Sequence, residues 1–84
     1  MNMIAKYRET KAAHPGTLLL FRDGPDYVAL DADAAALARS LEQAAHAEHG
    51  VAVTRFHADD LDACLRRLVH AGHRVSVAEP VIAD

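Results

Sequence analysis

Hydrophobic residues recur along the chain in short groups whose spacing alternates between the helical and the strand period. In the first group, within residues 2–13, Met3, Ile4 and Tyr7 lie at helical spacing with polar residues between them. Because Pro15 disfavours helical geometry at the residue before it, this first helix is predicted to end there.

The next two groups predict a β-hairpin. Residues 17–22 form a short apolar run with a β-branched start, bounded by glycine on one side and by the turn sequence Asp23-Gly24-Pro25 on the other. Such a run is typical of a buried strand. Residues 26–30 follow at hairpin distance, and they are predicted to return antiparallel to the first strand.

A second helix is predicted to open at Asp31-Ala32-Asp33, since acidic residues suit a helix N-terminus both as caps and through the helix dipole. Gly50 is predicted to end this segment. Its apolar stripe consists of Ala34, Leu37, Ala38, Leu41 and Ala45.

The rest of the chain predicts a strand, a helix and a final strand. Residues 51–56 alternate well enough for a second sheet segment. Asp59 or Asp60 is predicted to cap a third helix, and Gly72 is a suitable residue to end it. Residues 74–79 are predicted to form the last strand.

The element order α-β-β-α-β-α-β predicts a single α/β (α+β) domain over residues 1–84. Because helices alternate with strands, crossover connections are expected, and with them a small mixed sheet of about four strands flanked by three helices. The core is predicted to rest on the larger apolar side chains: Ile4, Tyr7, Leu18, Leu19, Leu20, Phe21, Leu30, Leu37, Leu41, Val51, Val53, Phe56, Leu61, Leu65, Leu68, Val69, Val75 and Val77.

Composition narrows the choice of compartment and partner. The single Cys64 cannot form an internal disulfide, which suits a reducing compartment, and neither a secretory leader nor a membrane span is recognisable. The cytoplasm is therefore the predicted location. A net charge of −3, with nine basic residues outnumbered by twelve acids, disfavours tight nucleic-acid binding by electrostatics alone.

Candidate chemistry is sparse. His46 and His49, like His70 and His73, have a spacing that can share a metal, but each pair is predicted at a helix end, where the dipole favours imidazole. Cys64 lies among leucines on the third helix and is predicted to be a small buried hydrophobe. No catalytic residue, metal site or cofactor is predicted, and the chain is not expected to be an enzyme.

Two stretches resemble the N-terminal domain of the bacterial DNA mismatch-repair protein MutS. The first includes Tyr7 and Lys11, then the LLLFRDG sequence of residues 18–24, and later Asp33-Ala34. It is similar to the family's opening, Y-x-x-x-K…P…L-L-L-F-R-x-G-D-F-Y-E. The second, residues 61–79, is similar to the closing signature L-D-x-Y-L-x-x-L-V-x-x-G-x-x-V-A-x-x-E-Q.

The resemblance implies a mixed sheet with surrounding helices and a role in recognising mismatched DNA. In that family a Phe-x-Glu motif enters the minor groove, where the aromatic ring wedges beside the mispaired base and the glutamate hydrogen-bonds it. Here Asp26 takes the position of the phenylalanine and Val28 that of the glutamate, with Tyr27 between them. An aspartate cannot stack, and a valine cannot share a proton.

Two further departures concern the rest of the pattern. Between Glu42 and Asp59 the family has a longer segment with an extra strand, of which only residues 43–58 remain. The closing glutamine is replaced by Pro80. These differences, together with the altered motif, predict a binding module that has diverged from mismatch reading.

Three binding roles stay open at this point. The leading one is a stand-alone module that docks on a protein or contacts DNA weakly, with Arg22, Arg66, Arg67 and Arg74 as candidate phosphate contacts. A second is binding of distorted or single-stranded DNA, with Tyr27 stacking on a base. The third is oligomerisation through the alanine-rich face of residues 34–45.

Overall fold

A computed structural model of the chain describes residues 3–79. They form a mixed five-stranded sheet with three α-helices, which confirms the predicted fold class. Asn2, the predicted first residue of the first helix, lies outside the described residues. So does Pro80, which replaces the closing glutamine of the family's pattern. The elements are α1 (Met3–Ala13), β1 (Leu18–Asp23), β2 (Asp26–Leu30), α2 (Asp31–Leu41), β3 (His46–Glu48), β4 (Val51–His57), a 3-10 turn (Ala58–Asp60), α3 (Leu61–His70) and β5 (Val75–Ala78).

The strand order across the sheet is β3-β4-β2-β1-β5. β1 pairs antiparallel with β2 and parallel with β5, and β4 pairs antiparallel with β2 and β3. This arrangement places β1 and β2 inside the sheet, which fits their apolar sequences, because inner strands covered on both faces need apolar residues at successive positions.

Alternate residues of these strands contribute to two cores, one on each face of the sheet. On one face Leu18, Leu20 and Tyr27 pack with Leu37 of α2 and Leu68 of α3. The other face packs against α1, with a core of Tyr7, Leu19, Phe21, Val28, Leu30 and Val53. Within residues 3–79, no helix is long and apolar enough to cross a membrane.

The sheet has one strand more than predicted. β3 forms a short hairpin with β4 across a turn in which His49 (φ 53°) and Gly50 (φ 74°) both adopt the left-handed conformation. This three-residue strand was not predicted from the sequence. His46 and His49 lie in this hairpin, so their predicted position at a helix end is wrong.

The second helix is shorter than its apolar stripe suggested. It ends at Leu41 rather than continuing to Ala45, because Glu42 adopts a left-handed conformation (φ 55°) and its N–H turns back to the carbonyls of the preceding turn. A left-handed residue other than glycine gives little sequence signal. The predicted end at Gly50 is corrected accordingly.

The third helix follows the prediction more closely. Asp60 precedes α3 at its N-cap, after a 3-10 turn, but makes no side-chain capping hydrogen bond. Gly72 (φ 93°) lies just beyond the last turn, as expected for a glycine after a helix C-terminus.

Two predicted core residues are exposed. Val69 of α3 is 64% exposed and Val77 of β5 is 42% exposed, so both assignments are wrong. Conversely, Tyr27, Val28 and Ala29 are almost completely buried although none was assigned to the core. The inner position of β2 explains this difference, because a strand with neighbours on both sides and helices on both faces has no exposed side.

The alanine-rich face of α2 is not available for oligomerisation. Ala34 and Ala38 are buried inside the domain. The carbonyl of Ala34 also accepts a hydrogen bond of 2.7 Å from Thr54 Oγ1 of β4. The small residues allow α2 to lie close to the sheet, and the third predicted role is therefore wrong as far as this face is concerned.

Candidate nucleic-acid interface

A hydrogen-bonded group of Tyr7, Lys11 and Asp33 joins α1 to α2 and to the start of β1. Tyr7 Oη lies 2.9 Å from both Asp33 Oδ2 and the carbonyl of Leu19, and the N–H of Leu19 donates to the same carboxylate oxygen at 3.1 Å. Lys11 Nζ lies 3.0 Å from Asp33 Oδ2. Burial raises the pKa of Tyr7, and the neighbouring Asp33 carboxylate raises it further.

These three residues are among those that carry the family resemblance. Each supports the scaffold, since the carboxylate satisfies a backbone donor, a phenol and an ammonium group that are all partly or wholly buried. Together these contacts fix the start of β1 against α1 and α2, and so help to position the β1–β2 hairpin.

The β1–β2 hairpin pairs Asp23 with Asp26, Arg22 with Tyr27 and Phe21 with Val28. Gly24 supplies the positive φ (62°) that the two-residue turn requires. The carbonyl of Pro25 accepts a hydrogen bond of 2.9 Å from the N–H of Ala58, which ties the hairpin tip to the 3-10 turn. The tip is held on a second element and does not project freely.

Asp26, at the position of the family's wedging phenylalanine, belongs to a cluster of charges around Arg55. Arg55 Nη1 lies 2.8 Å from Asp23 Oδ2 and 3.9 Å from Asp26 Oδ2. Its Nε and Nη2 each donate to Glu48 at 2.8 Å, as a fork. These hydrogen bonds, with a further one from His46, lower the pKa of Glu48 to about 2.

The Arg55 cluster leaves the hairpin tip with an excess of negative charge. Three carboxylates, those of Asp23, Asp26 and Glu48, face a single guanidinium. The hydrogen bonds that Arg55 donates to Glu48 and Asp23 raise the pKa of Arg55, so the guanidinium stays charged. A phosphate that approached the tip from the side of the Arg55 cluster would meet repulsion.

Val28, at the position of the family's glutamate, is fully buried in the core beneath α1. It packs with Tyr7, Phe21 and Leu30 among others. A side chain at this position has no route to a base outside the domain.

Tyr27 is also inside the domain. Its ring stacks on Phe56, with centroids 5.7 Å apart, and Arg22 Cζ lies 5.2 Å from its centroid. Only 2% of the residue is exposed. The ring therefore has no free face for a base, and the stacking role predicted for Tyr27 would require it to leave the core.

The four candidate arginines do not form one surface. Arg22 bends back to the carbonyl of Gly24 (2.7 Å) and lies 3.4 Å from Glu79, whereas Arg67 donates to the carbonyl of Ser40 at 3.3 Å. Arg66 and Arg74 are exposed, and their guanidinium groups have no hydrogen bond or ion pair to any described residue. Arg22 and Arg74 lie at opposite ends of the β1–β5 pair, because Leu18 pairs with Val75 and Phe21 with Ala78.

Arg55 and Glu48 were not found from the sequence. The alternation of β4 places Arg55 on the same face of the sheet as Val53. Its position near Asp26, however, results from the pairing of β4 with β2, two strands that are separated in sequence by α2 and β3.

Among the described residues, no three His, Cys, Asp or Glu side chains converge on a possible metal position. Cys64 is buried, and its burial raises the pKa of the thiol.

Comparison with known proteins identifies the family. The family model for MutS domain I matches residues 1–83. The DNA mismatch repair protein MutS of Rhodopseudomonas palustris is 35% identical over 82 residues, and that of Nitrobacter hamburgensis is 38% identical over 87 residues. Both alignments cover 92% of this chain but only 9% of the relative, so the chain spans about a tenth of the length of these relatives. The chain belongs to the MutS domain I family.

Proposed function

We propose that this chain is a non-catalytic DNA-binding module of the MutS domain I type that has retained the scaffold and lost the means to read mismatches. The observation that carries the proposal is the hairpin tip, where Asp26 lies beside Arg55 and Val28 is buried. The family's motif requires a ring and a carboxyl that both reach the DNA. Neither is available at these positions.

Electrostatics supports an approach to DNA by another surface. The Arg55 cluster presents more carboxylates than cations, and Asp59 and Asp60 follow immediately in the 3-10 turn that contacts the tip. Arg66 and Arg74 carry guanidinium groups free of described partners. We propose these two as the phosphate contacts, and because they are so few, the binding is weak and strongly salt-dependent.

Two other parts of the proposal concern chemistry and compartment. Burial raises the pKa of the Cys64 thiol, which disfavours the thiolate that a nucleophile needs and is in keeping with the proposed binding role. The buried free thiol of Cys64 suits a reducing compartment, and we place the module in the cytoplasm.

Fluorescence anisotropy with labelled oligonucleotides tests the proposal. A duplex with one central mispair, the matched duplex and the single strand are titrated at low salt. The affinities for the two duplexes are expected to agree within about twofold, because phosphate contacts carry no sequence information. A preference of about tenfold or more for the mispaired duplex, worth about 1.4 kcal/mol, would overturn the loss of mismatch reading.

A pair of charge-matched variants tests the phosphate contacts. Arg74→Gln is expected to weaken binding to all three oligonucleotides and to lower the slope of log K against log salt by about 0.9 for the duplexes. Arg39→Gln removes the same charge from an exposed position on α2 outside the proposed contacts. Equal losses in both variants would show that only net charge matters, and absence of binding at low salt would remove the DNA-binding function.

A further inference from the structure

An open cleft lies at the end of the sheet where β1 and β5 begin, away from the hairpin tip. Two loops form its walls, residues 15–17 between α1 and β1 and residues 72–74 between α3 and β5, and Asp33 and Ala36 of α2 also line it. Its volume is about 430 Å³, within the range of about 300–1,000 Å³ that small-molecule sites occupy. The cleft can therefore accommodate a small ligand.

Hydrogen bonds hold the two walls of the cleft together. The N–H of Leu18 donates to the carbonyl of Arg74 at 2.7 Å, and Thr17 Oγ1 lies 2.8 Å from Ser76 Oγ. Lys11 Nζ donates to the carbonyl of Thr17, which ties the first wall to α1. Because the walls are set before a ligand arrives, less conformational entropy is lost on binding.

The charges that line the cleft leave it positive. Among the described residues that line it, Asp33 is the only acid, and Lys11 Nζ neutralises it at 3.0 Å. The same carboxylate accepts two further hydrogen bonds from groups inside the domain. The guanidinium of Arg74 and the imidazole of His73 have no hydrogen bond or ion pair to a described residue. A guanidinium that no carboxylate neutralises favours an anionic ligand.

We infer that the cleft binds a terminal phosphate monoester, the group that a mononucleotide or the 5′ end of a DNA strand carries. Arg74 supplies a planar fork of donors that matches phosphate oxygens, and His73 supplies a ring nitrogen as a further donor. A phosphate monoester has a charge of about −1.5 to −2 at pH 7. A phosphodiester within a strand has one negative charge, so the monoester is attracted more strongly.

The shape of the cleft also favours a terminal phosphate. The strand continues from an internal phosphate through two ester oxygens, so an internal phosphate needs free space on both sides, whereas the cleft has a loop on each of two sides. A terminal phosphate has one ester link and can enter end-on. The inference rests on the proposed function, in which Arg74 contacts phosphate, and it names the kind of phosphate that Arg74 contacts.

An NMR titration of the labelled protein with thymidine 5′-monophosphate tests the inference. The backbone amides of residues 16–17 and 72–74 are expected to shift and to saturate with a Kd of about 1 mM. The dinucleotide TpT, whose only phosphate is an internal diester, should bind at least about fivefold more weakly. Absence of saturable shifts up to about 10 mM monophosphate, or equal affinity for TpT, would overturn the inference.

A charge variant tests the role of Arg74 in the cleft. Arg74→Gln should weaken binding of the monophosphate at least about tenfold, because it removes charge-assisted hydrogen bonds to the phosphate. Arg39→Gln removes the same charge from an exposed position of α2 outside the cleft and should bind as wild type does. Equal losses in the two variants would overturn the inference, since they would show that only net charge matters.

A steric variant tests the cleft without changing its charge. Gly16 has no positive φ, and an added Cβ there would meet nothing within 4 Å, so Gly16→Leu is expected to fold while filling the cleft and abolishing the shifts. Ala12→Leu places the same side chain at an exposed position of α1 outside the cleft and should leave binding unchanged. A folded Gly16→Leu variant, checked by circular dichroism, that binds as tightly as wild type would contradict the site.

Fluorescence anisotropy with a single strand that carries or lacks a 5′ phosphate distinguishes the two sources of the monoester. A strand end as ligand predicts a gain of about fivefold from the 5′ phosphate, which Arg74→Gln abolishes. Monophosphate shifts without this gain would assign the cleft to a free mononucleotide. Loss of all oligonucleotide binding would remove the DNA-binding function but leave the monophosphate result standing. Oligonucleotide binding without monophosphate shifts would overturn the inference alone.

Discussion

Restoring the family's glutamate by Val28→Glu should damage the fold rather than restore mismatch reading. Val28 has no exposed surface, and its neighbours in the core beneath α1 are Tyr7, Leu19, Phe21, Leu30 and Val53. A carboxylate placed there loses its water and gains no cation, so its pKa in the folded state rises.

The cost follows from the size of that rise. A buried carboxyl is shifted by about 3 units or more, at about 1.4 kcal/mol per unit, which gives about 4 kcal/mol at neutral pH. The apolar contacts of the valine are lost in addition. A domain of 84 residues has a total stability of about 4–13 kcal/mol. If the wild-type stability lies at the lower end of that range, the variant should be largely unfolded.

The sign of the pH dependence identifies the cause. A carboxyl whose folded pKa is raised destabilises the domain above its unfolded pKa of about 4.3, and this penalty disappears as the pH falls below that value. Urea unfolding followed by circular dichroism, at neutral pH and near pH 4, gives the difference in free energy of unfolding between variant and wild type at each pH. That difference should shrink on acidification.

Val77→Glu is the matched control, since the same substitution at a 42% exposed valine should change the free energy of unfolding by about 0.5 kcal/mol or less. A loss below about 1 kcal/mol for Val28→Glu at neutral pH would refute the reasoning, because it would show that a side chain at this position reaches solvent.

Three further substitutions test other contacts of the scaffold. Glu48→Gln should remove stability that wild type has above pH 4.5 and loses as the pH falls towards 2. The difference in free energy of unfolding between the two proteins, measured at a series of acid pH values, should therefore shrink towards zero over that range. Asp33→Asn weakens the acceptor for Tyr7, Lys11 and the N–H of Leu19, and should lower the free energy of unfolding in urea by about 2 kcal/mol. An unchanged midpoint of urea unfolding would contradict the role of the carboxylate. Asp31 has a left-handed backbone (φ 57°), so Asp31→Ala should be about 1 kcal/mol less stable than Asp31→Gly by the same assay, and equal stabilities would contradict this strain.

Local signals predicted the parts of the fold that depend on neighbours in the chain. The β1–β2 hairpin follows from an apolar run, a Gly-Pro turn and a second run within 13 residues, and the structure confirms it. α3 follows from its helical spacing and from Gly72 beyond its end. In both, the residues that define the element lie close together along the sequence.

The errors arose where the outcome depends on distant contacts or on unusual backbone. The end of α2 is set by Glu42 in a left-handed conformation, which sequence seldom reveals. Helical periodicity placed Val69 beside Leu65 and Leu68 but could not say how wide a stripe the sheet covers.

The candidate site shows the same division. Alignment with the family's motif identified Asp26 and Val28 as the altered positions, and only the structure reveals that the first lies beside Arg55 and the second is buried. The Arg55 cluster joins residues of β1, β2, β3 and β4, so it depends on the strand order. No local pattern contains that information.

The most direct test of the account is an NMR titration of the labelled protein with a mispaired duplex, observing the backbone amides of residues 23–28. If the tip no longer reads mismatches, those resonances stay in place while amides around Arg74 shift, and the matched duplex gives the same pattern. Saturable shifts at residues 23–28 that appear only with the mispaired duplex would contradict the central claim.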